Sequence, residues 1–303
     1  MPPKVEFEVS KLVNEFCHLS VLYADLMPQD LAMGILQNKA YQRRNWRLRE
    51  DAVRLELQRI SPFSSDSEWY KFTTGLMKRN QSGNFESMST HSRFVEFFQD
   101  LRQRHATGFD EIWKETRPRL TEYQYDFLSQ WAPISDKVLS RLHSLARNHW
   151  QTEKIRVRYI DCLCGGFAWN ESIGLSTVPD MDIQKKLLAH ELSELITPQQ
   201  ITLEELRKAG LDTEITHTVV DMLAYFSVRD LLAKPNPPNR ERKGLRPNPS
   251  YYPAADVLFP VFERYAEDPS IYADFSSFVQ DMILGLQSLP RGMMPKMLAS
   301  VPL

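Results

Sequence analysis

His190, Glu191 and Glu194 lie within one short segment and are residue types that a hydrolytic metal site uses. His190 and Glu194 are four residues apart, so on an α-helix both side chains project from one face, one turn apart. A catalytic zinc ion needs a few nitrogen or oxygen ligands, a position open to water, and a nearby carboxylate that accepts the proton of that water. The spacing therefore predicts His190 and Glu194 as metal ligands and Glu191 as the general base.

A third ligand must come from elsewhere in the chain, and His217 is the candidate. Apolar residues at helical spacing predict a helix from about Asp212 to Leu232, on which His217 and Asp221 share a face away from the apolar stripe. If this helix packs antiparallel to the first, two imidazoles and one carboxylate meet, a usual set for catalytic zinc. Asp221 is expected to orient His217 through its free ring nitrogen, and Tyr225 to donate to a developing oxyanion.

The segments around the histidine pair are predicted to be one β element and three helices. Lys154 to Ile160 alternates polar and apolar residues, which is typical of a half-buried strand. Phe167 to Thr177 can pair back as a second strand, with a turn near Asn170 to Gly174. The helix that carries His190 is predicted from about Asp182 to Thr197, and the next helix from about Leu203.

The rest of the chain is predicted to be mostly helical. Four stretches before residue 150 carry apolar residues at helical spacing: Val9 to Met27, Arg43 to Ile60, Phe94 to Leu101, and Ile134 to Leu145. The basic, proline-rich stretch 234–247 is predicted to be a loop, because proline lacks an amide donor and restricts the residue before it. Helical patterning returns from Ala254 to Leu289.

These patterns together predict a mainly α fold with a small antiparallel β element (α+β). Four segments are expected: a helical N-terminal region at 1–150, a metal-site core at 151–234, a proline-rich loop or linker at 235–253, and C-terminal helices at 254–303. No residue pattern in the segment 1–150 indicates a catalytic or binding function.

Composition excludes several classes of protein. The chain has 303 residues, of which 42% are hydrophobic and 25% charged, an ordinary globular balance. With 37 basic and 39 acidic residues and no basic face, we expect neither nucleic acid nor an anionic membrane as a partner. Three cysteines, no apolar signal region at the start and no long apolar run indicate a cytoplasmic protein without a membrane span. The oligomeric state is left open.

The helix reading His190-Glu191-Leu192-Ser193-Glu194 resembles that of the zincin superfamily of metallopeptidases, although Glu194 stands where that family usually has a second histidine. A preceding strand segment with Gly165-Gly166 and the later helix with His217 and Asp221 add to the resemblance, which covers 151–234. It implies a zincin-like core, one zinc ion, a water nucleophile, Glu191 as general base, and hydrolysis of a peptide or protein substrate. It also implies that Phe167 to Thr177 binds extended substrate through backbone hydrogen bonds.

An alternative interpretation belongs to another class of protein. The same helix is also an ordinary amphipathic helix, and the chain is then a non-catalytic helical scaffold or binding protein with a degenerate zincin-like core. Cys162 and Cys164 fit strand packing better than metal binding. Tyr251 and Tyr252 could line a substrate groove, but packing against the core explains them better.

Overall fold

The computed structural model describes most of the chain. The described residues are 2–22, 92–169, 171–232, 246–249, 252 and 254–288. Within them the protein is mainly α-helical, with two short 3₁₀ helices and one four-stranded sheet, so the mainly helical class is confirmed for this part. None of the described helices combines the length and apolar character needed to cross a bilayer. The predicted helix from Arg43 to Ile60 and most of the proline-rich stretch lie outside these residues.

The chain divides into two compact units, each assembled from separate parts of the sequence. The first unit comprises Met1–Pro3, Gln130–Glu153 and Asp180–Leu303, and the second comprises Lys4–Ser129 and Lys154–Pro179. The division into four functional segments that the sequence indicates stays a prediction.

The second unit contains the sheet. The sheet is mixed, whereas the sequence predicted an antiparallel element. Its strands are β1 (Lys4–Glu8), β2 (Lys154–Tyr159), β3 (Gly166–Trp169) and β4 (Ser172–Leu175), in the order β1-β2-β4-β3. β1 and β4 both run parallel to β2, and only the β3–β4 hairpin is antiparallel. The prediction was wrong because β1 joins from the start of the chain and because β4, not β3, lies next to β2.

The β3–β4 hairpin is tighter than the sequence suggested. The predicted turn extended to Gly174, but this residue belongs to β4 and pairs with Phe167 of β3. A Cβ at position 174 would lie 2.5 Å from the Phe167 ring, so only glycine leaves room for that ring to pass over the strand. Gly174 therefore serves a close approach within the sheet and not a turn.

Two helices of the second unit lie within the described residues. On α1 (Lys11–Leu22), the side-chain amide of Asn14 donates to the Tyr159 carbonyl at 2.9 Å and its oxygen accepts from the Asp161 amide at 2.9 Å. On α2 (Ser92–Trp131), Phe127 packs its ring 6.3 Å from that of Tyr159. α1 is thus fixed to the end of β2, and α2 contacts the same end of β2 through Phe127.

The first unit is a group of helices around an apolar core. The helices are α3 (Ser135–Ala146), α4 (Met181–Ile196), α5 (Gln199–Lys208), α6 (Ile215–Val228), α7 (Ala255–Glu267) and α8 (Phe275–Gln287). Fully buried members of the core include Leu206, Val219, Leu223, Leu258, Phe262, Phe278 and Met282. α4 and α6 pack along each other, and α3 packs against both.

The bounds of α4 follow from its flanking residues. The side chain of Asp180 accepts hydrogen bonds from the amides of Asp182 and Ile183, at 2.9 and 3.3 Å, which satisfies two of the free donors at the start of the helix. Pro198 follows the last turn and cannot continue it. The helix predicted from about Asp182 to Thr197 is confirmed to within one residue at each end.

Candidate metal centre

The packing of α4 against α6 brings the three predicted ligands together. The Glu194 Oε1 atom lies 3.6 Å from His190 Nε2 and 3.3 Å from His217 Nε2. One ligand atom from each of the three side chains lies within 4.8 Å of the other two. Among the described residues, this is the one set of three or more histidine, cysteine or acidic side chains close enough to hold a single ion.

Two of the three separations between the candidate ligand atoms match the edge of a zinc tetrahedron. Zinc binds nitrogen and oxygen ligands at about 2.0–2.1 Å, so the edges of a zinc tetrahedron measure about 3.3–3.4 Å. The separations from Glu194 Oε1 to the two histidine nitrogens, 3.3 and 3.6 Å, are of this size. The ligand atoms of His190 and His217 lie within 4.8 Å of each other, so the cluster is compact enough for a single small cation.

His190 is held from behind by a buried carboxylate. Asp221, which is 1% exposed, accepts a hydrogen bond on Oδ1 from His190 Nδ1 at 2.9 Å. This contact places the proton on Nδ1 and turns Nε2 toward Glu194, as in carboxylate–histidine–metal arrangements. The sequence had assigned Asp221 to His217. The structure corrects that pairing, because Asp221 lies on the buried side of α6 facing α4, whereas the His217 side chain is 58% exposed.

Glu191 is the most unusual carboxyl group at the site. It is 3% exposed, and its Oε2 atom has no hydrogen-bond partner. Burial raises the pKa of Glu191 well above its ordinary value, and the charge of Glu194 adds to this, while His190 opposes it. A desolvated carboxyl group with a free oxygen atom, next to a candidate metal ligand, is suited to exchange a proton with a water molecule there.

The histidines and Glu194 form one electrostatic unit. Burial disfavours charged His190, yet its hydrogen bonds to Asp221 and Glu194 prevail and raise its pKa to about 10. Burial also opposes ionisation of Glu194, but the hydrogen bonds from His190 and His217 lower its pKa to about 2. The hydrogen bond to Glu194 raises the pKa of His217. In the absence of a cation, protons on the imidazoles balance Glu194, and a bound cation would replace them.

Of the three tyrosines considered from the sequence, Tyr225 and Tyr252 are described, and Tyr252 adjoins the cluster. The ring of Tyr225 packs against Phe226 and Phe259, with centroids 5.2 and 5.6 Å away. The ring of Tyr252 lies 6.3 Å from that of His190. Burial raises the pKa of Tyr252, so the hydroxyl group keeps its proton.

Lys186 is the residue of this site that the sequence did not reveal. Its ammonium group lies 2.8 Å from Asp221 Oδ2 and is buried, although a lysine on an amphipathic helix normally indicates a solvated face. Lys186, His190 and Glu194 follow one another at intervals of four residues, so they line a single face of α4. That spacing was the signal that could have found it.

No protein-family model matches the chain, and no curated protein and no solved structure matches it. The assignment of a function therefore depends on the residues and geometry of the site.

Proposed function

We propose that the chain is a zinc-dependent hydrolase with a zincin-like metal centre, acting on peptide bonds. The observation that carries the proposal is the convergence of His190 Nε2, Glu194 Oε1 and His217 Nε2 from two helices. Two imidazoles and one carboxylate form a usual protein ligand set for catalytic zinc. The hydrogen bond from His190 to Asp221 and the free Oε2 atom of Glu191 fit the same purpose.

Each residue of the centre has a separate task in this proposal. The zinc ion, when bound, polarises the scissile carbonyl group and lowers the pKa of water at the site. Glu191 takes a proton from the attacking water and passes it to the leaving amine nitrogen. Its buried position makes it a stronger base than an exposed glutamate, because desolvation disfavours the ionised form. The exposed ring of His217 marks the side from which substrate reaches the centre.

The remaining parts of the proposal follow from the zincin resemblance and the cysteines. A peptide or protein is the proposed substrate, and the binding of extended substrate by Phe167 to Thr177 stays a prediction. The three cysteines, Cys17, Cys162 and Cys164, are free thiols, which supports a reducing compartment such as the cytoplasm.

One observation favours the alternative of a non-catalytic scaffold. Glu194 lies within hydrogen-bond distance of His217 Nε2 and is balanced by protonated imidazoles without any cation. Such charge-assisted contacts join α4 to α6 by themselves. A scaffold would keep these contacts but would show no zinc-dependent hydrolysis. Whether hydrolysis depends on the metal therefore distinguishes the two functions.

We expect the zinc-loaded chain to cleave members of a quenched fluorogenic peptide library, and removal of the metal to stop the reaction. The chelator 1,10-phenanthroline is expected to lower the rate by at least about a hundredfold, because both polarisation of the carbonyl and activation of water are lost. Added zinc should restore the rate. The non-chelating isomer 1,7-phenanthroline is the matched control and should have no effect. Bound zinc without cleavage of any peptide in the library would favour the scaffold.

A further inference from the structure

We propose that Lys186 is a positioning residue of the metal centre. Its ammonium group fixes the carboxylate of Asp221, and Asp221 in turn directs Nε2 of His190 toward the ion. This inference rests on the metal-binding part of the proposed function and adds to it the residue that holds the ligand in place.

The argument begins with how Asp221 divides its two oxygen atoms. Oδ1 accepts from His190 Nδ1 at 2.9 Å, and Oδ2 accepts from Lys186 Nζ at 2.8 Å. The terminal torsion of an aspartate side chain is soft, so a single contact leaves the carboxylate plane free to turn. The second contact fixes the carboxylate plane. Oδ1 can then accept the hydrogen bond of the His190 imidazole in only one orientation.

Lys186 is itself held in place. It is 7% exposed, and its ammonium group lies 5.7 Å from the centre of the Tyr252 ring, within the range of a cation–π contact. Burying a lysine is unfavourable unless its charge is paired. Here the partner is Asp221, the carboxylate that holds the proposed ligand His190.

The neighbouring residue offers a matched comparison. Lys185 is also 7% exposed, and it forms an ion pair with Asp182 at 2.9 Å, on the same helix. The two lysines therefore agree in residue type, burial and pairing with an aspartate. They differ in the aspartate they reach. The partner of Lys186 contacts the proposed ligand His190, whereas the partner of Lys185 lies in the first turn of α4.

The test compares Lys186→Met with Lys185→Met in the full-length chain. Zinc affinity is measured by competition with a chromogenic chelator, and the ligand field is read from the visible absorption of the cobalt-loaded protein. We expect Lys186→Met to weaken zinc binding about 10- to 100-fold, as loss of an outer-shell partner does, and to shift the cobalt bands. Lys185→Met should stay within about twofold of the unaltered chain and keep its cobalt spectrum. Lys186→Arg, which keeps the charged donor, should recover most of the affinity.

The outcomes distinguish this inference from the proposed function. If the unaltered chain binds no zinc, both are overturned. If it binds zinc and the two methionine variants have equal affinities and equal cobalt spectra, only the role of Lys186 is overturned. Circular dichroism checks that each variant folds. Should Lys186→Met not fold, Lys186→Gln serves in its place, with the same expected weakening and the same spectral shift.

Discussion

Replacing His190 by alanine is expected to abolish stoichiometric zinc binding while the helices remain folded. Structural zinc sites bind with roughly 10–16 kcal/mol shared among about four ligands, so one ligand contributes on the order of 3 kcal/mol. That loss corresponds to a Kd about a hundredfold weaker or more. His190 is also the proposed ligand whose ring Asp221 holds in place through a hydrogen bond.

The measurement is the zinc content of the purified variant after dialysis, together with its Kd from chelator competition. His143→Ala is the control, because this histidine lies on α3 and hydrogen-bonds to the Asn148 carbonyl, outside the cluster. The control should bind zinc as the unaltered chain does. Zinc content that stays unchanged in His190→Ala would show that the ion, if any, binds elsewhere.

Replacing Glu191 by glutamine is expected to remove hydrolysis, keep zinc and leave the fold as stable as before or more so. A general base contributes about 10²- to 10⁴-fold to a rate, so activity should fall by that amount. Glutamine has the same size as glutamate but carries no charge, so the cost of burying a carboxylate with one unpartnered oxygen disappears. Loss of activity and gain of stability are thus expected from one substitution.

The stability effect has a defined dependence on pH. Since burial raises the pKa of Glu191 in the folded state, the folded chain binds this proton more tightly than the unfolded chain. The contribution of Glu191 to the free energy of unfolding is therefore fully present below the pKa of an ordinary glutamate. It is lost as the pH rises from that value toward the raised pKa of the folded state. The advantage of Glu191→Gln in urea denaturation of the metal-free protein should be larger at pH 8 than at pH 5.

Glu194→Gln is the matched comparison for this variant. It makes the same chemical change one turn further along α4, at a proposed ligand, and should weaken zinc binding strongly. The two glutamates are therefore expected to show opposite patterns, with activity lost and zinc kept at residue 191, and zinc itself lost at residue 194. Loss of zinc from Glu191→Gln, or full activity in that variant, would contradict the division of tasks.

The sequence was sufficient to predict the helices of the site and the meeting of its ligands. The apolar periodicity placed α4 and α6, and the interval of four residues put His190 and Glu194 on one face. Two amphipathic helices that lie close in the sequence can pack antiparallel, as α4 and α6 do with α5 between them, and His217 was proposed from that argument. The positions of these helices and the face that His190 and Glu194 share depend on residues close together in the sequence. Short-range residue patterns can therefore predict them.

Features that depend on distant pairing or on helix rotation could not be predicted in the same way. Lys4 to Glu8 alternates polar and apolar residues as a strand does, but its parallel pairing with Lys154–Tyr159 involves residues far apart in the sequence. Likewise, the spacing of α6 does not say which histidine Asp221 contacts. That choice depends on the rotation of α6 about its axis, which the packing of the whole core decides.

X-ray absorption at the zinc edge of the metal-loaded chain tests the central claim most directly. We predict a first shell of nitrogen and oxygen atoms at about 2.0–2.1 Å, with the outer-shell scattering of two imidazole rings. In His217→Ala, the amount of bound zinc should be reduced, and the imidazole scattering should fall by the contribution of one ring. A sulfur shell at about 2.3 Å, or a shell without imidazole scattering, would contradict the assignment of His190, Glu194 and His217 as ligands.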